Sequence, residues 1–252
     1  MSLPLPLPRV AYQYPEWTAH LKHGFFAKKS LNGETDWNIN KAFPNALENR
    51  RQIAQSMSGP ECAFFFPFQV HGTAVQEIQA PDQDLTDPCD GLITNISGVV
   101  LGVQTADCAP VIFWAPKENW VGICHAGWKG ALAGILQKMV RCLENKGVTE
   151  LQALIGPTIR PVHYPVGQDV YEIFLNQAPS NKAFFLMKDA EIFFDLPGYI
   201  KKVLQDQKIQ VWDSQQDTFG DVYYSRRWAL KYDPEKASRI GFCSAVACPK
   251  GN

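Results

Sequence analysis

The 252-residue sequence contains no apolar run near the roughly 18 residues that span a bilayer, which excludes a simple membrane-spanning helix. It has no run or stripe of basic residues. With 24 Lys and Arg against 25 Asp and Glu, the formal net charge is −1, so a nucleic-acid surface is not expected. No Cys-x-x-Cys pair occurs among the seven cysteines. An odd number at irregular spacing does not make a secreted disulfide framework and points to a reducing cytoplasm. Walker A, GxGxxG and HExxH patterns are missing. The N-terminal "MSLPLPLPRVAYQYPEW" lacks the basic and apolar regions of a secretion signal. Its Leu–Pro alternation predicts an extended surface arm over about residues 1–17.

What is present is a core-forming composition, 46% hydrophobic and 19% charged, expected to fold as one domain over 1–252. Residues 64–78, "FFFPFQVHGTAVQEI", predict two strands meeting at His71–Gly72. "GVVLGV", "PVIFWA", "WVGICHA" and "LQALIG" predict buried strands. Between the last two, Leu132, Ile135, Met139, Val140 and Leu143 fall at helical spacing, with Gly147 as a stop. Residues 165–178 and 196–207 read as helical, and "RIGFCSAVA" as a late strand. The alternation of strands and helices, with hairpins, predicts a mixed α/β (α+β) fold and not a doubly wound sheet.

Three soft-ligand residues fall where predicted strands give way to loops, the places that carry function. These are His71, Cys108 in "QTADCAPVIF" and His125 in "CHAGWKG". Separated by 37 residues (71 to 108) and 17 residues (108 to 125), they meet only through the fold. Two imidazoles and a thiolate suit a catalytic zinc with one open position. Alternatively Cys108 is a nucleophile, His125 its base, and His71 or Asp107 the group that orients the base. The plain alternative is that cysteines are buried filler, the expected role of Cys124, Cys142 and Cys243 and, less firmly, of Cys62, Cys89 and Cys248. His20, His23 and His163 are read as structural. Gly127 and Gly130 flank a helix start that attracts anions, and Lys129 adds positive charge. "YYSRRW" (Tyr223 to Trp228) sets two arginines beside aromatics, which could clamp a phosphate or carboxylate but is read mainly as surface ion pairs, and Asp213, Asp217 and Asp221 are read as too irregular for a metal face.

The blocks "FQVHGTAV", "CDGLITN", "QTADCAPVIF", "VGICHAGWKGALAGIL" and "IGPTI" follow in the order that resembles a bacterial family. Its members are labelled polyphenol oxidase or laccase-like, purine nucleoside phosphorylase, or peptidoglycan-editing factor. The resemblance runs from His23 to the "SRIGFCSAV" stretch. It implies a four-layer α-β-β-α sandwich similar to the catalytic domain of cytotoxic necrotizing toxins. It also implies zinc on His71, Cys108 and His125. The implied activities are phosphorolysis of adenosine and related nucleosides, including methylthioadenosine, and deamination of adenosine. In that reading Asp107 shuttles a proton or orients a ligand, and the partners are purine nucleosides and inorganic phosphate. Lys129 and the helix start are the anion contact, and Asn38, Asn49 and Arg50 match the family pattern. This sequence departs from the family at Lys28, where arginine is usual, and in the lost glycine pair after it. Lys129 again replaces arginine, and Pro165 stands where glutamate is usual. Lysine does not reproduce a bidentate arginine contact. Two other functions stay open: a metal-free cysteine amidase acting on a cell-wall precursor, and a nucleoside-binding module without turnover.

A multicopper oxidase needs several coppers, mostly on histidine, and this chain has five histidines. Copper competes well for imidazole and thiolate, so a single substituted ion is compatible with the site. A true multicopper laccase is not expected.

Overall fold

The apolar runs in the middle of the chain become the inner strands of two large sheets. The computed structural model describes residues 8–29, 36–237, 240–247 and 249. Residues 1–7 of the expected arm, the Ser30–Asn32 stretch and Cys248 lie outside the described residues, as does the side chain of Cys243. In chain order the elements are β1 (Val10–Tyr12), β2 (His23–Phe26), α1 (Ala46–Ser58), β3 (Phe64–Phe65), β4 (Val75–Glu77), β5 (Gly91–Thr94) and β6 (Val100–Thr105). There follow β7 (Ala109–Ala115), β8 (Trp120–Ala126), α2 (Trp128–Ala133), α3 (Ile135–Glu144), β9 (Gln152–Ile155), β10 (Pro165–Val166) and α4 (Gln168–Gln177). The last are β11 (Phe185–Lys188), β12 (Glu191–Phe194), α5 (Leu196–Asp206), β13 (Gln210–Asp213), α6 (Arg226–Tyr232) and β14 (Phe242–Ala247).

The sheets are five-stranded (β1-β2-β14-β6-β3), six-stranded (β13-β9-β7-β8-β5-β4) and three-stranded (β10-β12-β11). This is a mixed α/β fold. All seven residues of β7 and all seven of β8 are buried, because both faces of these strands are covered. Period-two alternation divides their side chains. Ile112, Trp114, Val121 and Ile123 meet Phe25, Leu101, Val103 and Phe242 of the five-stranded sheet. Val111, Phe113 and Cys124 point the other way, against α3 and α5. The apolar stripe of α3 is Ile135, Leu136, Met139, Val140 and Leu143, all buried. Each such side chain contributes about 1.5–3 kcal/mol by leaving water. On the far side, Ile53, Ala54 and Met57 of α1 pack on Val100, Ala245 and Phe26.

Four local expectations are corrected. The two strands of 64–78 do not form a hairpin: β3 pairs with β6 and β4 with β5, both parallel and in different sheets. The segment between them crosses from one sheet to the other. The long helix after His125 is broken at Gly134, whose φ of +102° belongs to the left-handed region that favours glycine, so α2 ends and α3 restarts at a new angle. Pro165–Val166 is a strand, and the helix of that stretch begins only at Gln168. Finally, the described part of the arm does not simply lie on the surface. β1 pairs with β2, and Trp17 is buried in the core between the sheets.

Candidate metal centre

Strand register brings the distant ligands together. β7 and β8 are antiparallel, with Ala109 opposite Ala126 and Pro110 opposite His125. Cys108, one residue before β7, therefore meets the end of β8. On the other side of β8, β5 places Gly91 opposite Cys124, and the His125 N–H donates to the Asp90 carbonyl at 2.8 Å. β4 lies beside β5, and Ala74 accepts N–H bonds from Asp90 (3.0 Å) and Gly91 (3.1 Å), which draws the His71 turn against Asp90. The Gln69 side chain closes the ring. Its amide nitrogen donates to the Gln104 carbonyl and its oxygen accepts the Gln104 N–H, both at 2.8 Å.

One ligand atom each from His71, Cys108 and His125 lies within 4.8 Å of the others. The His71 and His125 rings stand edge to face with centroids 4.7 Å apart. His71 takes a left-handed φ of +60° and Asp107, beside Cys108, one of +87°, two strained turns at the same site. Gly127 and Gly130 make the closeness possible. A Cβ on Gly127 would stand 2.8 Å from Cys108 Sγ, and one on Gly130 would stand 3.1 Å from the Gly72 carbonyl. The glycines of "HAGWKG" thus make room for the ligands, and Gly127 caps the start of α2 as expected.

Asp90, fully buried, organises the site. Its Oδ1 accepts from the His71 N–H at 3.0 Å and from His125 Nδ1 at 2.7 Å. Its Oδ2 accepts from the N–H groups of Val70 (3.0 Å) and Gly72 (2.8 Å). Burial would raise this carboxyl, but the His125 bond and the two N–H groups outweigh it and hold Asp90 low. An ionised Asp90 fixes the proton on Nδ1 and leaves Nε2 as the ring nitrogen free to bind an ion. Burial opposes charge on both Cys108 and His125. The attraction between them, the Asp90 bond to His125 and the His71 bond to Cys108 prevail, so the thiol is lowered and the imidazole raised. The donor set of two imidazoles and a thiolate fits zinc, with the backing carboxylate such a histidine needs. Two nitrogens and a sulfur around tetrahedral zinc sit roughly 3.3–3.5 Å apart, so atoms within 4.8 Å of one another need draw together by no more than about 1.5 Å to hold an ion.

The other expected residues are placed as follows. Asp107 is buried and does not orient His125; that task falls to Asp90. Its Oδ1 accepts from Thr218 Oγ1 and its Oδ2 from the Arg227 N–H, both at 2.7 Å. Burial raises its carboxyl, and the bonds from Ser225, Arg227 and Thr218 only partly offset this. Lys129 is exposed, with Nζ 5.5 Å from the Trp128 ring centroid. Asn38 is buried, its Oδ1 accepting the Asn40 N–H and its carbonyl an Asn49 amide bond. Arg50 donates twice to the Ile39 carbonyl and lies over Phe66. The structure thus unites His71, Cys108 and His125 and sets Asp107 beside them, while the described contacts of Asn38 and Arg50 lie elsewhere. His23 is structural, accepting the Tyr14 N–H on Nε2 and donating from Nδ1 to Leu21. Asp213, Asp217 and Asp221 each have a separate partner, namely Arg160, His163 and Lys28.

Near the site, Asp90 and Tyr164 carry no expected role, and Arg227 belongs to the "YYSRRW" stretch expected mainly to form surface ion pairs. Asp90 was visible as a lone carboxylate opening an apolar strand in "CDGLITN". Arg227 has a signal in the paired arginines beside aromatics of "YYSRRW", and Tyr164 has none. They come together only in the fold, the Arg227 guanidinium carbon 5.4 Å from the Tyr164 ring centroid.

A family model described as multi-copper polyphenol oxidoreductase laccase matches residues 28–236. Among curated relatives, a purine nucleoside phosphorylase of Rickettsia conorii is 34% identical over 86% of this chain and 83% of its own length. One of Deinococcus radiodurans is 31% identical over 77% and 79%. The fold matches the hypothetical protein YfiH of Bacillus licheniformis, with a TM-score of 0.81 at 24% identity over 93% of this chain and 94% of that one. It also matches YlmD of Geobacillus stearothermophilus, with a TM-score of 0.80 at 22% identity over 97% and 100%.

Proposed function

The chain belongs to the family described as multi-copper polyphenol oxidoreductase laccase, and on that premise we propose that it is a zinc-dependent purine nucleoside enzyme. Its reactions in this reading are phosphorolysis of adenosine and related nucleosides, methylthioadenosine among them, and deamination of adenosine. The observation that carries the reading is the convergence of His71, Cys108 and His125 over buried Asp90. The names of the relatives support phosphorolysis in particular. Among the described residues this is the one cluster of three or more His, Cys, Asp or Glu side chains suited to an ion, which supports a single-metal site over a multicopper one. Zinc bound there supplies Lewis acidity and lowers the pKa of water, and copper competes for the same donors.

In phosphorolysis a phosphate oxygen bonds to C1′ of the ribose as the bond from C1′ to the base breaks. The electron pair leaves with the base, which takes up a proton. The residues of this chain hold the centre rigid: Asp90 fixes the His125 ring, and Gln69 fixes the His71 segment to that of Cys108. Asp107 serves by anchoring the loop around Thr218 and Arg227. Lys129, Asn38 and Arg50 remain the expected contacts of nucleoside and phosphate. The stack of α1, the five-stranded sheet, the six-stranded sheet and the α3–α5 layer supports reading one four-layer α-β-β-α domain of the toxin type. No described helix is long and apolar enough to cross a membrane. The free cysteines Cys62, Cys89, Cys108, Cys124 and Cys142 support a cytoplasmic setting.

A second reading has its own observation. Cys108, His125 and Asp90 form a nucleophile–base–orienter series, the arrangement of a metal-free cysteine amidase. Chromatography of adenosine incubated with zinc-loaded protein, with and without phosphate, beside Cys108→Ala, separates the readings. Adenine formed only with phosphate, or inosine formed without it, is expected, with neither in the variant. Turnover retained by Cys108→Ala would sink the metal reading. Nucleoside bound without product would mark a binding module, and amide cleavage in the absence of metal would favour the amidase.

A further inference from the structure

Arg227 is half-buried, yet among the described residues its guanidinium makes no hydrogen bond and no ion pair; its backbone N–H donates to Asp107, and its guanidinium lies over Tyr164. Neighbouring cations differ. Arg160 is locked in a two-bond pair with Asp213 (2.6 and 2.7 Å), and Lys28 reaches Asp221 at 3.4 Å. Arg227 stands close to the metal centre. Its N–H donates to the side chain of Asp107, the residue preceding Cys108, at 2.7 Å. Asp107 accepts from Thr218 on its other oxygen and feels the Arg227 charge, but it bonds to Arg227 through the backbone N–H and not the guanidinium. Tyr164 lies under the guanidinium, 8% exposed, and its phenol feels the charge of Cys108 as well as that of Arg227. Tyr164 is itself held at both backbone ends, its N–H donating to Pro161 and its carbonyl accepting from Phe194, both at 3.0 Å. A guanidinium held near an aromatic face keeps its planar fork of donors available, and such a fork grips two oxygens of one anion.

We infer that Arg227, seated on Tyr164 beside the His71–Cys108–His125 cluster, receives the inorganic phosphate of the reaction. This rests on the phosphorolysis reading and assigns its co-substrate to a residue that the resemblance did not point to. Lys129 is an exposed point charge, and a point charge on a flexible stem fixes no orientation in the anion. Arg227 supplies both the charge and a fixed fork.

Equilibrium dialysis with radiolabelled inorganic phosphate tests this without requiring turnover. The proteins are zinc-loaded wild type, Arg227→Gln, Arg227→Lys and, as a control for lost charge on the same helix, Lys231→Gln. Arg227→Gln should weaken phosphate binding about tenfold or more, as loss of charged hydrogen bonds predicts. Arg227→Lys should fall between, and Lys231→Gln should match wild type. Zinc content should be equal in all four, which excludes general collapse of the site. The phosphate KM for adenosine cleavage should rise in step while the adenosine KM stays near its original value. Undiminished binding in Arg227→Gln, or binding lost instead in a fifth protein, Lys129→Gln, would overturn the assignment, as would a wild type that binds no phosphate. A wild type that binds phosphate through Arg227 yet forms no adenine would leave the subsite standing and defeat phosphorolysis.

Discussion

Asp90 Oδ1 and His125 Nδ1 lie 2.7 Å apart where neither side chain meets solvent to any extent, at 0% and 4% exposure. The same carboxylate receives three backbone N–H groups of the His71 turn. One residue thus positions two ligands that lie 54 residues apart in sequence (71 to 125). Asp90→Asn keeps the shape but loses the charge that fixes the Nδ1 proton. Zinc affinity should fall about 10–100-fold, read by competition with a chromophoric chelator. Asp90→Ala should also lower unfolding stability by about 3–5 kcal/mol, because it strands buried donors. A variant with unchanged zinc affinity would show that Asp90 serves the fold alone.

The missing side chain at residue 127 is a condition of the site. Gly127→Ala places a methyl group 2.8 Å from Cys108 Sγ. We expect lost metal binding together with a stability change of about 1–3 kcal/mol, the scale of local overpacking. Metal content and urea denaturation, measured on the same sample, check this. Normal metal content would mean that the Cys108 turn shifts freely.

Cys108 has a lowered thiol pKa, whereas burial pushes Cys89 up to about 11 and raises Cys124 as well. In metal-free protein, iodoacetamide should therefore modify Cys108 before Cys89 and Cys124, as peptide mass spectrometry will show. Zinc should block the modification and a chelator restore it. Equal rates with and without zinc would count against coordination by Cys108.

His23 gives a pH dependence that does not involve the His71–Cys108–His125 cluster. Burial lowers its pKa, and the bond to the Leu21 carbonyl only partly offsets this. The unfolded chain therefore takes up this proton at a higher pH than the folded one. Stability is fully present above the unfolded value of about 6.5 and is lost as pH falls toward the depressed folded value. His23→Gln should be less stable at about pH 8 but show a shallower loss on the acid side. Denaturant titrations at several pH values test the slope, and an unchanged slope would assign the acid loss to other groups.

The central strands were legible because β6 to β9 are long apolar runs, and the three ligands because each stands where such a run ends. Pairing was less legible. Nothing local in "FFFPFQVHGTAVQEI" tells that Phe65 and Val75 belong to different sheets, since the crossing is decided by which edges are free to accept them. Gly134 looked like a tolerated helix interior, but its left-handed φ breaks the helix there. Asp107 drew attention by standing next to Cys108, yet Asp90, opposite His125 across β8, holds the better position. Sequence adjacency is a poor guide to what lies across a strand ladder. The paired arginines of "YYSRRW" suit surface ion pairs or an anion clamp alike, because the lack of an ion-pair partner on Arg227 is a property of the folded surroundings alone.

His71 lies on the segment that carries the chain from the five-stranded sheet to the six-stranded one, and Cys108 lies on the next such passage, between β6 and β7. The ligand set therefore exists only when the two sheets are seated in the correct mutual register. Affinity for the ion becomes a gauge of the seam between them. A methylene removed from Leu101 or Ile112, both far inside that seam and neither a ligand, should register at the metal as weaker capture. The cation would in turn be taken up late in folding, by a chain that had already closed.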